Sequence, residues 1–119
     1  AKRVRKSLGG GMRQVGYLAA AGQYALKHNI HRLADDHRRA NSIGSYLRQI
    51  SCIENIRPLE TNIVLFDVKS SHIQLFKKLL DDNRVQVSFM GDRTVRFVTN
   101  LGFCDNQLDI LLNVLNQLS

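Results

Sequence analysis

Thr61-Asn62-Ile63-Val64-Leu65-Phe66-Asp67-Val68 is the strongest strand signal in the 119-residue sequence, because branched and aromatic residues fill most of its positions. Before it, Cys52-Ile53-Glu54-Asn55-Ile56 alternates weakly and is soon followed by Pro58, a pattern that predicts a short edge strand. After it, the serine pair at residues 70–71 is expected to cap a helix that runs through Leu80. The central strand is therefore predicted to lie between an edge strand and a helix.

The second half of this region repeats the pattern of paired strands and a helix. Val85 to Met90 and Thr94 to Thr99 flank the short turn Gly91-Asp92-Arg93, which predicts an antiparallel hairpin. Asp105 is expected to cap a last, leucine-rich helix. From Cys52 onward the predicted order is strand, strand, helix, strand, strand, helix. This order predicts an α+β fold with a small, largely antiparallel sheet and its helices on one face.

Two helices and a glycine loop are predicted ahead of the sheet. The loop, Ser7-Leu8-Gly9-Gly10-Gly11-Met12-Arg13-Gln14, follows a short basic helix end at residues 1–7. Its glycines suit a sharp turn with uncovered N–H groups, and at a helix N-terminus such a loop is either an anion site or a flexible joint. Arg13 to Lys27 is rich in small residues nearly all round, which predicts a helix buried against other helices or another subunit. A further helix is predicted from Ile30 to Ile50, with Asp36 on its outer face.

The net charge of +7 is concentrated around the glycine loop. Residues 1–39 carry nine lysines and arginines against two aspartates, and the other eight cations are matched by eight acids. Such a patch suits a phosphate-bearing ligand or nucleic acid, but the stacking aromatics of a nucleic-acid binder are missing, so none is expected. No apolar run is long enough to predict a membrane span. Cys52 and Cys104 form no CxxC spacing and are expected to be buried thiols in a reducing cytoplasm.

Few residues offer chemistry by themselves. The four histidines lack metal-ligand spacing, and no serine or cysteine has a placed partner, so neither a metal site nor a catalytic residue is predicted. Arg96 differs, because strand alternation puts it on one face with Thr94 and Val98. An arginine on such a face could grip a carboxylate through two parallel hydrogen bonds, although a plain surface arginine fits the same pattern.

Several stretches together carry a family resemblance. They are KSLGGGMRQVG (residues 6–16), RLADDH (32–37), TNIV (61–64) and VRFVT (95–99), in one order along the chain. The sequence resembles the low-specificity L-threonine aldolases, which are pyridoxal-phosphate enzymes of fold-type I. The resemblance implies that residues 1–28 form a linking segment from a large cofactor domain and that residues 29–119 form the C-terminal small α+β domain.

The resemblance also implies an activity and its site residues. The expected reaction is cleavage of L-threonine or L-allo-threonine to glycine and acetaldehyde by a cytoplasmic homotetramer. Arg96 is expected to hold the substrate carboxylate, and Lys6 and Arg13 to lie near the cofactor phosphate, reached from a neighbouring subunit. The Schiff-base lysine is expected in an upstream domain, so the isolated chain is expected to be inactive. Asn100 stands where the family commonly has histidine.

One alternative remains from the pattern of elements alone. A strand and helix order of this kind also suits a stand-alone ferredoxin-like module that binds an amino acid as a regulatory ligand. The two hypotheses differ in whether pyridoxal phosphate is needed.

Overall fold

The structure is a computed structural model that describes residues 1–118. The chain divides into two compact units, one comprising Ala1–Leu33 and the other beginning at Ala34. This division lies a few residues after the boundary at residues 28/29 drawn from the sequence. The role of residues 1–28 as a link from a larger cofactor domain stays a prediction.

The first unit contains two helices joined by the glycine loop. Helix α1 spans Lys2–Ser7 and helix α2 spans Val15–His28, close to the predicted bounds. No residue of α2 is buried within the chain, and Tyr17, Leu18 and Leu26 are largely exposed. The expectation that α2 packs against another surface stays a prediction.

The second unit is the predicted α+β domain. Its elements are α3 (Leu33–Leu47, beginning at the boundary), β1 (Ile53–Glu54), β2 (Ile63–Val68), α4 (Ile73–Asp82), β3 (Ser88–Met90), β4 (Thr94–Val98), α5 (Asp105–Leu115) and a short 3₁₀ turn (Asn116–Leu118). The predicted order of strands and helices is confirmed, including the edge strand β1.

The four strands form one antiparallel sheet in the order β1-β2-β4-β3. Because β4 lies between β2 and β3, the segment from β2 through α4 to β3 is a split β-α-β unit. Gly91, at φ +82°, provides the left-handed residue in the β3–β4 turn. Register is set by pairs such as Phe66 with Val95 and Leu65 with Arg96.

One face of the sheet meets all three helices of this unit and forms the core. Val64, Phe66 and Val68 of β2 point to that face and are fully buried. The remaining core residues are Ala40, Ile43, Leu47, Ile50, Cys52, Phe76, Leu80, Val95, Phe97, Leu108, Leu111, Val114 and Leu115. Helices therefore cover one face, as predicted. The other face carries the alternate residues of β2 and β4 and is called the open face below.

Helix starts were predicted less well than helix positions. Neither residue of the serine pair at 70–71 caps α4, since the N-cap is His72 and the Ser71 hydroxyl bonds to the His72 ring instead. Asp105 is the first residue of α5, and Cys104 is its N-cap. The Cys104 N–H donates to Oε1 of Gln107 over 2.8 Å, as in a capping box.

Two burial predictions were also wrong. Cys104 is exposed because it caps α5 at the surface, whereas Cys52 is buried, and burial raises the pKa of its thiol. Asp36 was placed on the outer face of its helix but is buried. It lies in the first turn of α3, where the strand end at Thr99 packs over it and donates to its carbonyl.

Candidate functional site

Arg96 lies in the middle of β4 on the open face of the sheet. Within β4, Val95 and Phe97 are buried in the core, whereas Arg96 and Val98 point away from it. The predicted alternation of faces along this strand is therefore confirmed. Across the ladders, Arg96 stands directly opposite Leu65 of β2 and Ser88 of β3.

The guanidinium of Arg96 is incompletely satisfied. Its Nε is buried and has no hydrogen-bond partner among residues 1–118. On the same side of the guanidinium, Nη2 makes one long hydrogen bond of 3.4 Å to the Ser88 hydroxyl. A buried donor without an acceptor costs about 1–3 kcal/mol, so an acceptor placed next to Nε would stabilise the guanidinium.

A cavity of about 360 Å³ opens beside Arg96. We call it the Arg96 crevice; its lining comprises Ile43, Val85, Gln86, Val87, Ser88, Arg96, Phe97, Val98, Thr99, Phe103 and Leu111. The crevice exists because β3 pairs with β4 only from Ser88 to Met90. The predicted strand beginning at Val85 is therefore too long at its start, and residues 85–87 separate from β4 instead of continuing the ladder.

A buried charged cluster that the sequence reasoning missed lies on the same open face. Asp67 is only 5% exposed, and its carboxylate accepts from Thr94 Oγ1 at 2.7 Å and from Asn55 Nδ2 at 3.0 Å. Arg57 Nη1 lies 3.4 Å from the same carboxylate. The hydrogen bonds from Asn55 and Thr94, followed by the Arg57 charge, lower the pKa of Asp67. An aspartate inside a strand that is otherwise apolar was the available signal.

A second polar network connects α3 to the start of α5. Asp105 Oδ1 accepts from both Arg38 Nη2 and Arg39 Nε at 2.8 Å. The hydrogen bond from Arg39, and after it the bond from Arg38, are the main causes that lower the pKa of Asp105. The same hydrogen bond to Asp105 raises the pKa of Arg39. The Asp105 carboxylate is thus stabilised by two arginines and by the positive end of the α5 dipole, because Asp105 lies in the first turn of that helix.

Thr99, directly after β4, anchors this strand end to α3. Its buried hydroxyl donates to the Asp36 carbonyl at 2.7 Å, and its own N–H donates to the Asn62 carbonyl at 3.0 Å. The Asn62 side chain returns a bond of 2.6 Å to the Thr99 carbonyl. These bonds position the strand that carries Arg96 and one wall of the crevice.

The glycine loop proves to be a helix C-cap as well as a turn. The Gly10 N–H donates to the Arg5 carbonyl at 2.8 Å and the Gly9 N–H to the Lys6 carbonyl at 3.2 Å, with Gly9 at φ +82°. This is the pairing of a Schellman motif. The prediction that the loop leaves its N–H groups uncovered is therefore wrong for Gly9 and Gly10, because the open carbonyls of α1 take them.

Lys6 lies in the last turn of α1, and the loop folds back over its stem. A Cβ on Gly11 would come within 3.1 Å of the Lys6 Cγ, so the absence of a side chain permits this approach. The ammonium end is exposed with the rest of the residue. Lys6 therefore remains available to an anion, although it does not line the cavity that Arg13 and Gln14 border at the start of α2.

Arg13 borders a shallow cavity of about 450 Å³ at the start of α2, together with Gln14, Gly16, Tyr17 and Ala20. Gln14 is the N-cap but makes no side-chain capping bond. A cationic side chain beside an uncapped helix N-terminus suits a phosphate, because both favour negative charge. The residues present thus fit the phosphate of a cofactor, and Arg96 fits a carboxylate.

Other classes of site are not seen in the described part of the chain. Among residues 1–118, no group of three or more histidine, cysteine or acidic side chains is placed to hold a metal ion. Within the same residues, no helix is both long and apolar enough to cross a membrane.

Comparison with known proteins agrees with the motifs. Residues 1–71 match the family model described as Beta-eliminating lyase. A relative named Low-specificity L-threonine aldolase 1, from Arabidopsis thaliana, is 35% identical over 102 residues, which cover 82% of this chain and 28% of the relative. The Low specificity L-threonine aldolase of Escherichia coli O157:H7 is 36% identical over 106 residues, covering 89% of this chain and 31% of the relative.

A third relative extends the match over nearly the whole chain. The Probable low-specificity L-threonine aldolase of Schizosaccharomyces pombe is 32% identical over 117 residues, which cover 98% of this chain and 29% of the relative. The chain therefore spans less than a third of the length of these curated relatives.

Proposed function

This chain belongs to the beta-eliminating lyase family, whose members are pyridoxal-phosphate-dependent in general, and we propose that it is the C-terminal part of a threonine aldolase. The proposed reaction is cleavage of L-threonine or L-allo-threonine to glycine and acetaldehyde. The observation that carries the proposal within this chain is the unpartnered Nε of Arg96, in the motif that also gives the family resemblance.

In this proposal, Arg96 binds the carboxylate of the amino-acid substrate. Nε and Nη2 lie on one edge of the guanidinium, so a carboxylate placed there accepts two parallel hydrogen bonds. Ser88 supports the orientation, since its hydroxyl contacts Nη2 over 3.4 Å. Arg96 thereby fixes one end of the substrate, and the bonds of Thr99 keep its strand in place.

Lys6 and Arg13 are proposed to contact the cofactor phosphate. Support comes from the exposed position of Lys6 and from the cavity beside Arg13 at the start of α2. When bound, pyridoxal phosphate supplies an electron sink for the glycine carbanion. The lysine that binds the cofactor covalently is proposed to lie in an upstream domain, and the isolated chain is proposed to be inactive for that reason.

Assembly and location complete the proposal. The exposed apolar side chains of α2, such as Tyr17 and Leu18, suit a helix that is covered in an oligomer, which we propose to be a homotetramer. Free Cys52 and Cys104 suit a reducing compartment, and we propose the cytoplasm.

A chimeric enzyme tests the activity. This chain replaces the matching third of the Escherichia coli relative, and acetaldehyde release from L-threonine is measured after pyridoxal-phosphate binding has been checked by absorbance. The chimera is expected to cleave threonine. Arg96→Gln should lower kcat/KM by about a hundredfold or more, because two charge-assisted hydrogen bonds are lost. Lys78→Gln, an exposed change on α4, serves as the matched control.

The proposal fails if the chimera binds pyridoxal phosphate but releases no acetaldehyde. The assignment of Arg96 fails by itself if Arg96→Gln loses no more activity than Lys78→Gln.

A second candidate is favoured by one observation, the strand arrangement. The split β-α-β unit is the one found in ferredoxin-like sheets. In this chain the edge position beside β2 is occupied by β1, which precedes the unit in sequence. That fold also suits a stand-alone amino-acid-binding module. Calorimetry of this chain with glycine or L-threonine distinguishes the two, since submillimolar binding without pyridoxal phosphate would favour the module.

A further inference from the structure

The Arg96 crevice has two chemically different ends. At the open face it presents the Arg96 guanidinium and the Ser88 hydroxyl. The rest of its lining is mostly aliphatic and aromatic, and it includes the core residue Leu111 and Phe103, which packs against the core. The crevice is therefore amphipathic, with Arg96 as the only cation of its lining.

The geometry of strand pairing explains why the apolar end is accessible. The β3–β4 ladder stops at the pair of Ser88 with Arg96, and the chain before Ser88 stands away from β4. Val87 and Val98 both belong to the wall of the crevice. Val98 is 43% exposed, so part of this wall is apolar surface that a ligand could cover.

The remaining polar groups in the crevice narrow the ligand class. Thr99 already donates its hydroxyl to the Asp36 carbonyl, which leaves Gln86 as the other polar side chain. None of the lining residues is acidic, so an ammonium group inside the crevice has no charged partner. A second carboxylate there would be desolvated without a cation. The crevice thus favours one carboxylate attached to an uncharged apolar tail.

We propose that the Arg96 crevice binds aliphatic monocarboxylates tail-first. The carboxylate accepts from Nε and Nη2 of Arg96, and the tail lies between Val87 and Val98 and points toward Phe103. This inference rests on the carboxylate-binding role of Arg96 in the proposed function. It adds a ligand class that lacks the α-amino group, and such ligands compete with the amino-acid substrate for Arg96.

Titration of the full 119-residue chain tests the proposal. Acetate, butyrate and hexanoate are added in turn, and binding is followed by NMR shifts of the Val87 and Leu111 methyl groups and of the Arg96 side chain. Affinity should rise about fourfold for each methylene buried, until the tail outgrows the crevice. Adipate and hexanol, which add a second carboxylate or lack one, should each bind more weakly than hexanoate.

Two variants separate the ends of the crevice. Arg96→Gln should remove the advantage of hexanoate over hexanol. Val98→Phe, a change at an exposed position, should narrow the crevice. It should weaken the binding of hexanoate at least tenfold and leave the binding of acetate unchanged. Lys78→Gln, on exposed α4 surface, is the charge control and should change nothing.

The outcomes distinguish this inference from the proposed function. If acetate shifts Arg96 but affinity does not increase with tail length, the crevice proposal is overturned and the carboxylate role of Arg96 stands. If hexanol binds as tightly as hexanoate, or if no carboxylate of any length shifts Arg96, the carboxylate role is overturned together with the proposal.

Discussion

Replacing Asp67 by asparagine should lower the free energy of unfolding by about 2 kcal/mol at neutral pH. The variant keeps the shape of the side chain and an oxygen for the Thr94 hydroxyl, which now bonds at 2.7 Å. The amide of Asn55 can rotate to accept a hydrogen bond from the new amide. What disappears is the negative charge in three contacts, those with Thr94, Asn55 and Arg57. Charge-assisted hydrogen bonds are about twice as strong as neutral ones, which gives the stated loss.

The pH dependence of this difference identifies its cause. The pKa of Asp67 is lowered in the folded state, so its charge contributes stability above the ordinary aspartate pKa of about 3.9. That contribution is lost as the pH falls through the lowered folded-state pKa. The unfolding free energies of the wild type and of Asp67→Asn should therefore converge as the pH falls below the folded-state pKa of Asp67. They should differ fully at roughly pH 6 to 7, well above the ordinary aspartate pKa.

Urea unfolding followed by circular dichroism measures the difference at each pH. Asp92→Asn, in the exposed β3–β4 turn, removes the same charge from the surface and is the matched control. An equal deficit for Asp67→Asn at pH 3 and pH 7 (about one unit below the ordinary pKa and well above it) would refute the reasoning, because a deficit from lost charge must shrink as the pH falls from above the ordinary pKa toward the lowered folded-state pKa.

Two further perturbations probe the anchor of β4 and the glycine loop. Thr99→Val should destabilise the second unit by about 1–2 kcal/mol, because the buried Asp36 carbonyl loses its donor. Thr99→Ser keeps the hydroxyl and should retain most of the stability. Thermal unfolding of the two variants measures the difference. Gly9→Ala should cost the first unit about 1 kcal/mol or more because Gly9 is at φ +82°, whereas Gly22→Ala, inside α2 with open space around it, should increase helix content in circular dichroism. Equal effects of the two alanines would contradict the C-cap assignment of Gly9.

Much of the fold could be predicted because it depends on local periodicity. The β-rich stretch at residues 61–68, the hairpin around Gly91 and the helix ending at Ser7 all occur where expected. The faces of β4 were also predictable, since alternation along a strand puts Arg96 opposite to Val95 and Phe97 whatever the rest of the fold. Helix starts were less predictable, because several neighbouring residues at each start could serve as the N-cap. Which residue caps the helix depends on the other partners of each side chain, such as Arg38 and Arg39, which donate hydrogen bonds to Asp105.

The role of Arg96 as a carboxylate-binding residue stays a prediction from the sequence, whereas the surroundings of Arg96 could not be predicted. The motif around Arg96 pointed to a carboxylate ligand, and the structure adds an unpartnered Nε beside a cavity. The glycine loop was expected to offer its N–H groups to an anion, but two of them cap α1. Nothing in the glycines themselves distinguishes these uses, because an N–H donates equally well to a carbonyl or to a phosphate.

The sequence by itself determined which segments are strands and helices, which side of β4 carries Arg96, and that positive charge gathers near the glycine loop. These properties follow from the spacing of residues along the chain. Only the tertiary structure decided that Asp67 is buried with three partners, that Asp36 is covered, and that the β3–β4 ladder stops at Ser88 and leaves a crevice. These features depend on contacts between residues far apart in sequence, whose partners and register are set by packing of the whole domain.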